Sequence, residues 1–168
     1  IPGQDGYNAY TIASYFILFG VIVTHLKSRS QLARILVATV LMGFLVGVYG
    51  MFQHSGNDFL NISESTGGGS YRVSIFMGNA IFSAAVLSMT IIVTLMTSAI
   101  YFDDKSNQHR SLSSKYRQLK QDFVATSIWA SILTVQLISM VFTLSRGASI
   151  GVSLGILVFF GFVVLSLG

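Results

Sequence analysis

Two arginines stand apart from every other basic side chain. Lys27, Arg29, Arg34, Lys105, Arg110, Lys115, Arg117 and Lys120 cluster in two stretches between apolar segments, whereas Arg72 and Arg146 each sit alone. Arg146 interrupts two apolar runs in Thr143-Leu144-Ser145-Arg146-Gly147-Ala148-Ser149. A guanidinium presents a planar fork of donors that matches phosphate oxygens, and a helix opening at this point adds unpaired N–H groups and a positive dipole end. Arg72 lies in Tyr71-Arg72-Val73-Ser74-Ile75-Phe76-Met77-Gly78-Asn79. A helix opening at Arg72 puts Asn79 about two turns deeper on the same face. An amide at that depth needs a partner or a water-filled cavity. Each charge-assisted hydrogen bond contributes about 1.5 to 3 kcal/mol, so two arginines with backbone donors suffice to hold a diphosphate against water. The blander reading is a pair of snorkelling arginines and an Asn that joins two helices.

The elements that position these residues are membrane helices. Hydrophobic residues make up 52% of the chain and charged residues 10%, with a mean hydropathy of +0.70 and the apolar residues in long blocks. Such a composition excludes a soluble domain. Five segments reach spanning length, at about 10–26, 35–52, 73–102, 123–144 and 148–167, and they lack the alternation of barrel strands. The expected fold is all-α, a polytopic membrane protein with five transmembrane helices forming part of a larger bundle. The loops at 27–34 and 103–122 hold the clustered basic residues and lie two spans apart, which makes both cytoplasmic. The amino end, the loop at 53–72 and the tight turn at Ser145 to Gly147 then face outward. The net charge of +4 is mostly an orientation signal. No solvated surface interleaves basic and aromatic residues, which argues against nucleic acid. Without cysteine there is no disulfide framework, zinc cluster or thiol nucleophile.

The outer loop gathers Gln53, His54, Asn57, Asp58, Asn61, Glu64 and Arg72. Most of these read as a solvated loop surface. His54 is a candidate base or proton carrier, although a lone loop histidine is more often simply exposed. Asn61-Ile62-Ser63 matches a glycosylation sequon by a pattern too short to carry weight. Thr66-Gly67-Gly68-Gly69-Ser70 reads as a hinge. Gly147, Gly151 and Gly155 recur every four residues, a doubled GxxxG stripe for close helix packing, and Gly43 and Gly47 repeat it once. Beginning at Ile1-Pro2-Gly3 and ending at Gly168 after a span, the chain is expected to be an excerpt of a longer protein, or else a processed small subunit.

Three groups of these residues together resemble the O-antigen ligase and polymerase superfamily: Val48-Tyr49-Gly50 with Gln53; Arg72 through Gly78-Asn79 with Phe82 and Ala84; and Thr143 through Ser145-Arg146-Gly147-Ala148 with Gly151. The resemblance covers roughly residues 43–167. It implies a polytopic glycosyltransferase of the bacterial inner membrane that passes a glycan from undecaprenyl diphosphate to an acceptor hydroxyl. It also implies that Arg72 and Arg146 are catalytic, stabilising charge on the diphosphate leaving group without a metal or other cofactor. Gln53, Asn79 and Ser145 join them as substrate-binding residues. The expected partners are membrane lipid, the lipid-linked glycan diphosphate and other membrane helices. This chain has Gly78-Asn79-Ala80-Ile81 where the family often has Gly-Asn-Pro-Asn, and the family's histidine-bearing outer loop would follow the fifth span. His54 does not match that histidine. The two arginines are expected to converge on one outward cavity. Other readings of the same residues are a small-anion or inorganic-carbon transporter and a structural subunit of a larger membrane complex.

Overall fold

In the computed structural model the described residues are 9–60, 72–108 and 115–167. They form α1 (Ala9–His25), α2 (Arg29–His54), a 3-10 turn at Ile75–Met77, α3 (Ala80–Gln108), α4 (Lys115–Phe142) and α5 (Arg146–Leu167). No strand occurs among the described residues. The sequon at Asn61, the glycine hinge at 66–70, Glu64 and Tyr71 lie outside them.

Four of the helices, α2 to α5, are long and apolar enough to cross a membrane. The protein is therefore a helical membrane protein. The fifth expected span falls on α1. At 1.5 Å per residue the 17 residues of α1 extend about 26 Å, short of the roughly 30 Å of a hydrocarbon core. The helices also run past several expected boundaries. Nearly all of the loop expected at 27–34 is the first turns of α2, and much of the loop expected at 103–122 extends α3 and α4. Polar ends can stay helical beyond the bilayer, so hydropathy underestimates helix length there.

The chain forms two compact units, Ile1–Ile35 and Leu36–Gly168. In the first, α1 meets α2 through a capping box. Gln31 N–H donates to Ser28 Oγ at 3.2 Å, and Gln31 Oε1 accepts Ser28 N–H at 3.0 Å and Lys27 N–H at 2.9 Å. This Ser-x-x-Gln pattern satisfies helix-end donors locally and starts α2 at Arg29.

In the second unit α3 packs against α4, α5 and the 3-10 turn. Its core joins Val46 and Tyr49 of α2, Val73, Ile75, Leu87 and Ile91, Met140 of α4 and Val152 of α5. A polar line runs through this core. Thr90 and Thr94 are buried and return their hydroxyls to backbone carbonyls of α3. Thr94 Oγ1 also lies within hydrogen-bond distance of Gln136 Oε1 of α4, at 3.1 Å, while Gln136 Nε2 and Ser139 Oγ are buried without a partner among the described residues. Three glycines of α2 let the helices close over this line. A Cβ at Gly43 would stand 2.5 Å from Thr90 Cβ and 2.7 Å from Gln136 Nε2, one at Gly47 3.1 Å from Val135 Cγ1, and one at Gly50 would strike Ser139 Oγ.

The stripe on α5 behaves differently. Among the described residues nothing lies within 4 Å of a Cβ built at Gly147 or Gly151, and of the three Gly155 alone meets another helix, at the tip of Ile92. Only 6% of the α5 span is buried. Within this chain the close packing falls to the α2 glycines.

Candidate functional site

The segment before α3 is the local surprise. A helix opening near residue 73 is expected, yet α3 starts at Ala80, and residues 72–79 are irregular around the short 3-10 turn at Ile75–Met77. Gly78 has φ of +64°, a left-handed conformation that interrupts any helix and that glycine adopts without steric cost. Asn79 then caps α3, its Oδ1 accepting the Ile81 N–H at 2.8 Å. Asn79 is exposed at the start of the helix, not two turns inside it.

Irregular backbone in a membrane protein must find its hydrogen bonds within the protein. Here Gln53 supplies them. Its Oε1 accepts the N–H of Ser74 at 3.0 Å and of Ile75 at 2.8 Å, and its Nε2 donates to Asp58 Oδ2 at 3.2 Å. Val73 N–H donates to the Phe142 carbonyl at 3.2 Å, and the Ser83 hydroxyl donates to the Ser74 carbonyl. Asp58 also accepts the Tyr49 hydroxyl, whose ring stacks on Phe76 at 4.5 Å and meets Phe59 edge-on at 5.1 Å. Ile75 holds φ of +52°, a strained conformation for a β-branched residue, with its side chain fully buried against Gly50. Gln53 was expected to bind substrate. Both ends of its amide are instead engaged by the fold, and it is only 8% exposed.

This scaffold places Arg72 against the turn between α4 and α5. Arg72 Nε donates to the Thr143 carbonyl at 2.9 Å, while the residue as a whole is exposed. The turn is three residues long. Leu144 has φ of +53°, and the Thr143 hydroxyl donates to the Met140 carbonyl at 2.7 Å and accepts the Ser145 N–H at 3.3 Å. The Ser145 carbonyl accepts Ser149 N–H at 3.1 Å and Ser149 Oγ at 3.0 Å, fixing the first turn of α5. Arg146 is the first residue of that helix and is exposed. Three residues of chain span at most about 10 Å, so the carbonyl held by Arg72 lies close to the Arg146 backbone. Arg72, Arg146 and the first N–H groups of α5 thus belong to one end of the bundle. Ser145 is buried at 9% exposure and serves the turn.

Among the described residues neither arginine is paired with a carboxylate. The ion pair Lys105–Asp122 lies at the other end of α3 and α4. His54 is the last residue of α2 rather than a loop residue, and its ring stacks on Phe142 at 3.7 Å between centroids. Asp58 was expected only as part of a solvated loop surface, and Gln136 and Ser139 carried no expectation. For Gln136 a usable signal existed, a carboxamide in mid-span that has to find a partner. Asp58 gave none, because its partners Tyr49 and Gln53 are assembled only by the end of α2 and the turn that follows. No family model, curated protein or solved structure matches this chain.

Proposed function

We propose that this chain is the diphosphate-holding part of a membrane glycan transferase, in which Arg72 and Arg146 grip the diphosphate of a lipid-linked glycan at the outward face. The observation that carries the reading is the Arg72–Thr143 hydrogen bond, which sets one exposed guanidinium beside the turn from which the other projects. A helix start leaves its first N–H groups without intrahelical acceptors, and at α5 they lie beside Gly147, where the approach is open. An anionic leaving group is stabilised by such preorganised donors as its charge develops. Asn79 is exposed at the start of α3 and has its amide nitrogen to offer. The proton acceptor for the incoming hydroxyl is assigned to no residue of this chain. In this reading the membrane is a bacterial inner membrane, α1 is a fifth span, and the clustered Lys and Arg residues face the cytoplasm.

The test is binding of farnesyl diphosphate, a soluble stand-in for the carrier, to the purified protein in detergent. Arg146→Lys is expected to weaken binding by roughly tenfold, since an ammonium cannot reproduce the two-pronged contact. Arg72→Ala is expected to weaken it as much or more. Unchanged affinity in both variants would sink the proposal.

A second reading has its own observation. The exposed length of α5, with Gly147 and Gly151 open, suits a subunit that packs against further helices. Farnesyl diphosphate would then not bind at all.

A further inference from the structure

A groove lies between the last turns of α1 and the first turns of α2, within the first compact unit. Its space is about 290 Å³, close to the lower limit of the roughly 300 to 1,000 Å³ typical of small-molecule sites. The lining has two halves. Val21 and Ile22 of α1 and Ile35 of α2 are apolar, whereas His25, Gln31 and Arg34 are polar. His25 closes α1 and Gln31 lies in the first turn of α2, so both stand at the connection between the helices. The apolar residues lie about one turn farther along each helix, toward its middle.

Local hydrogen bonds preset the polar half. His25 Nδ1–H donates to the Val21 carbonyl at 3.1 Å and to Thr24 Oγ1 at 2.9 Å, the Thr24 hydroxyl proton being spent on the Gly20 carbonyl at 2.7 Å. Among the described residues this leaves His25 Nε2 for a ligand. Gln31 Oε1 is held by the cap of α2, which leaves its Nε2 to donate. Arg34 reaches back to Ser30, Nε donating to the carbonyl and Nη2 to the hydroxyl, both at 3.4 Å. Those two long bonds use two of the five guanidinium donors and turn the charge toward the start of α2, where Lys27 and Arg29 add to it. No Asp or Glu occurs from residue 6 to residue 57, so neither helix offsets this charge. An apolar trough that ends in an oriented guanidinium, amide and imidazole matches a phosphate joined to acyl chains. We propose that this groove binds an anionic phospholipid from the leaflet at the α1–α2 connection, its phosphate on Arg34 and Gln31, its headgroup beside His25 and its first acyl carbons against Val21, Ile22 and Ile35. A second copy of the chain is the poorer occupant, because it brings like charges together. The site is independent of the diphosphate reading.

The test is native mass spectrometry of the purified protein released from micelles doped with equal phosphatidylglycerol and phosphatidylcholine. The wild-type chain is expected to retain phosphatidylglycerol in preference, by roughly fivefold for each basic residue engaged. Arg34→Gln should remove most of that preference while leaving the helical circular-dichroism spectrum intact. Ile22→Trp with Ile35→Trp fills the apolar half, keeps every charge, and should reduce retention of phosphatidylglycerol. Lys115→Gln with Lys120→Gln, which takes two charges from the other basic stretch, should leave the preference in place. Equal retention of the two lipids by the wild-type protein would overturn the proposal, as would a preference that survives Arg34→Gln. A preference that falls as far in the Lys115 and Lys120 variant as in Arg34→Gln would also overturn it, since diffuse charge would then be the cause. So would dimers that disappear only in the trough-filling variant, since a second copy would then be the occupant.

Discussion

Arg72 and Arg146 were legible in the sequence because an isolated charge next to hydrocarbon is costly and demands a reason. What Gln53 does was not legible. Its sequence neighbourhood offers a polar residue near the end of a span, and only the fold shows that Ser74 and Ile75, 21 and 22 residues away, spend its carbonyl oxygen. Replacing it with Leu orphans two buried or half-buried N–H groups and one bond to Asp58. Gln53→Leu is expected to lower stability by about 2 to 4 kcal/mol, read as a fall in melting temperature in detergent. Leu144 gives the opposite expectation. It is 58% exposed and its backbone is left-handed, with φ of +53°. Leu144→Gly relieves a strain of about 1 kcal/mol without emptying a core, and the melting temperature should rise. Ile75→Gly relieves the same kind of strain but removes a fully buried side chain, and should be destabilising.

At the scale of elements, hydropathy located every long helix but misjudged how α3 begins. The apolar run continues through Val73, Ile75, Phe76 and Met77, and nothing in its hydrophobicity distinguishes buried irregular backbone from helix. Gly78 and Asn79 were the available signals, a left-handed glycine followed by a cap. Glycine stripes were equally ambiguous, because GxxxG reports that a close approach is possible and not which stripe is used. The structure separates them, and mutation can check the separation. Gly43→Val should cost roughly 3 kcal/mol or more, since even a Cβ would stand 2.5 Å from Thr90 Cβ. Gly151→Ala should change the stability of the isolated chain by no more than about 0.5 kcal/mol, because it meets open space. A melting series in micelles compares the two directly. A large loss at Gly151 would place another helix against α5.

For the whole molecule, the asymmetry of basic residues predicts a single orientation, and the absence of cysteine makes it easy to test. A single cysteine at exposed Asn57 should react with a membrane-impermeant maleimide added to intact cells, whereas one at Gln108 should react only after permeabilisation. The reverse pattern would invert the protein and remove the outward diphosphate site. Membrane class, helical content, the charge asymmetry and the two exceptional arginines were determined by the sequence alone. Span length, hydropathy and charge position are local properties, fixed by a run of neighbouring residues. Tertiary structure decided the rest: that Arg72 reaches the carbonyl of Thr143, 71 residues away, that Gln53 is consumed in holding residues 72–79, and that α2 rather than α5 supplies the closely packed glycines. These are contacts between distant parts of the chain. Their partners are chosen by which polar groups must be satisfied once the helices pack, and no local pattern contains that choice.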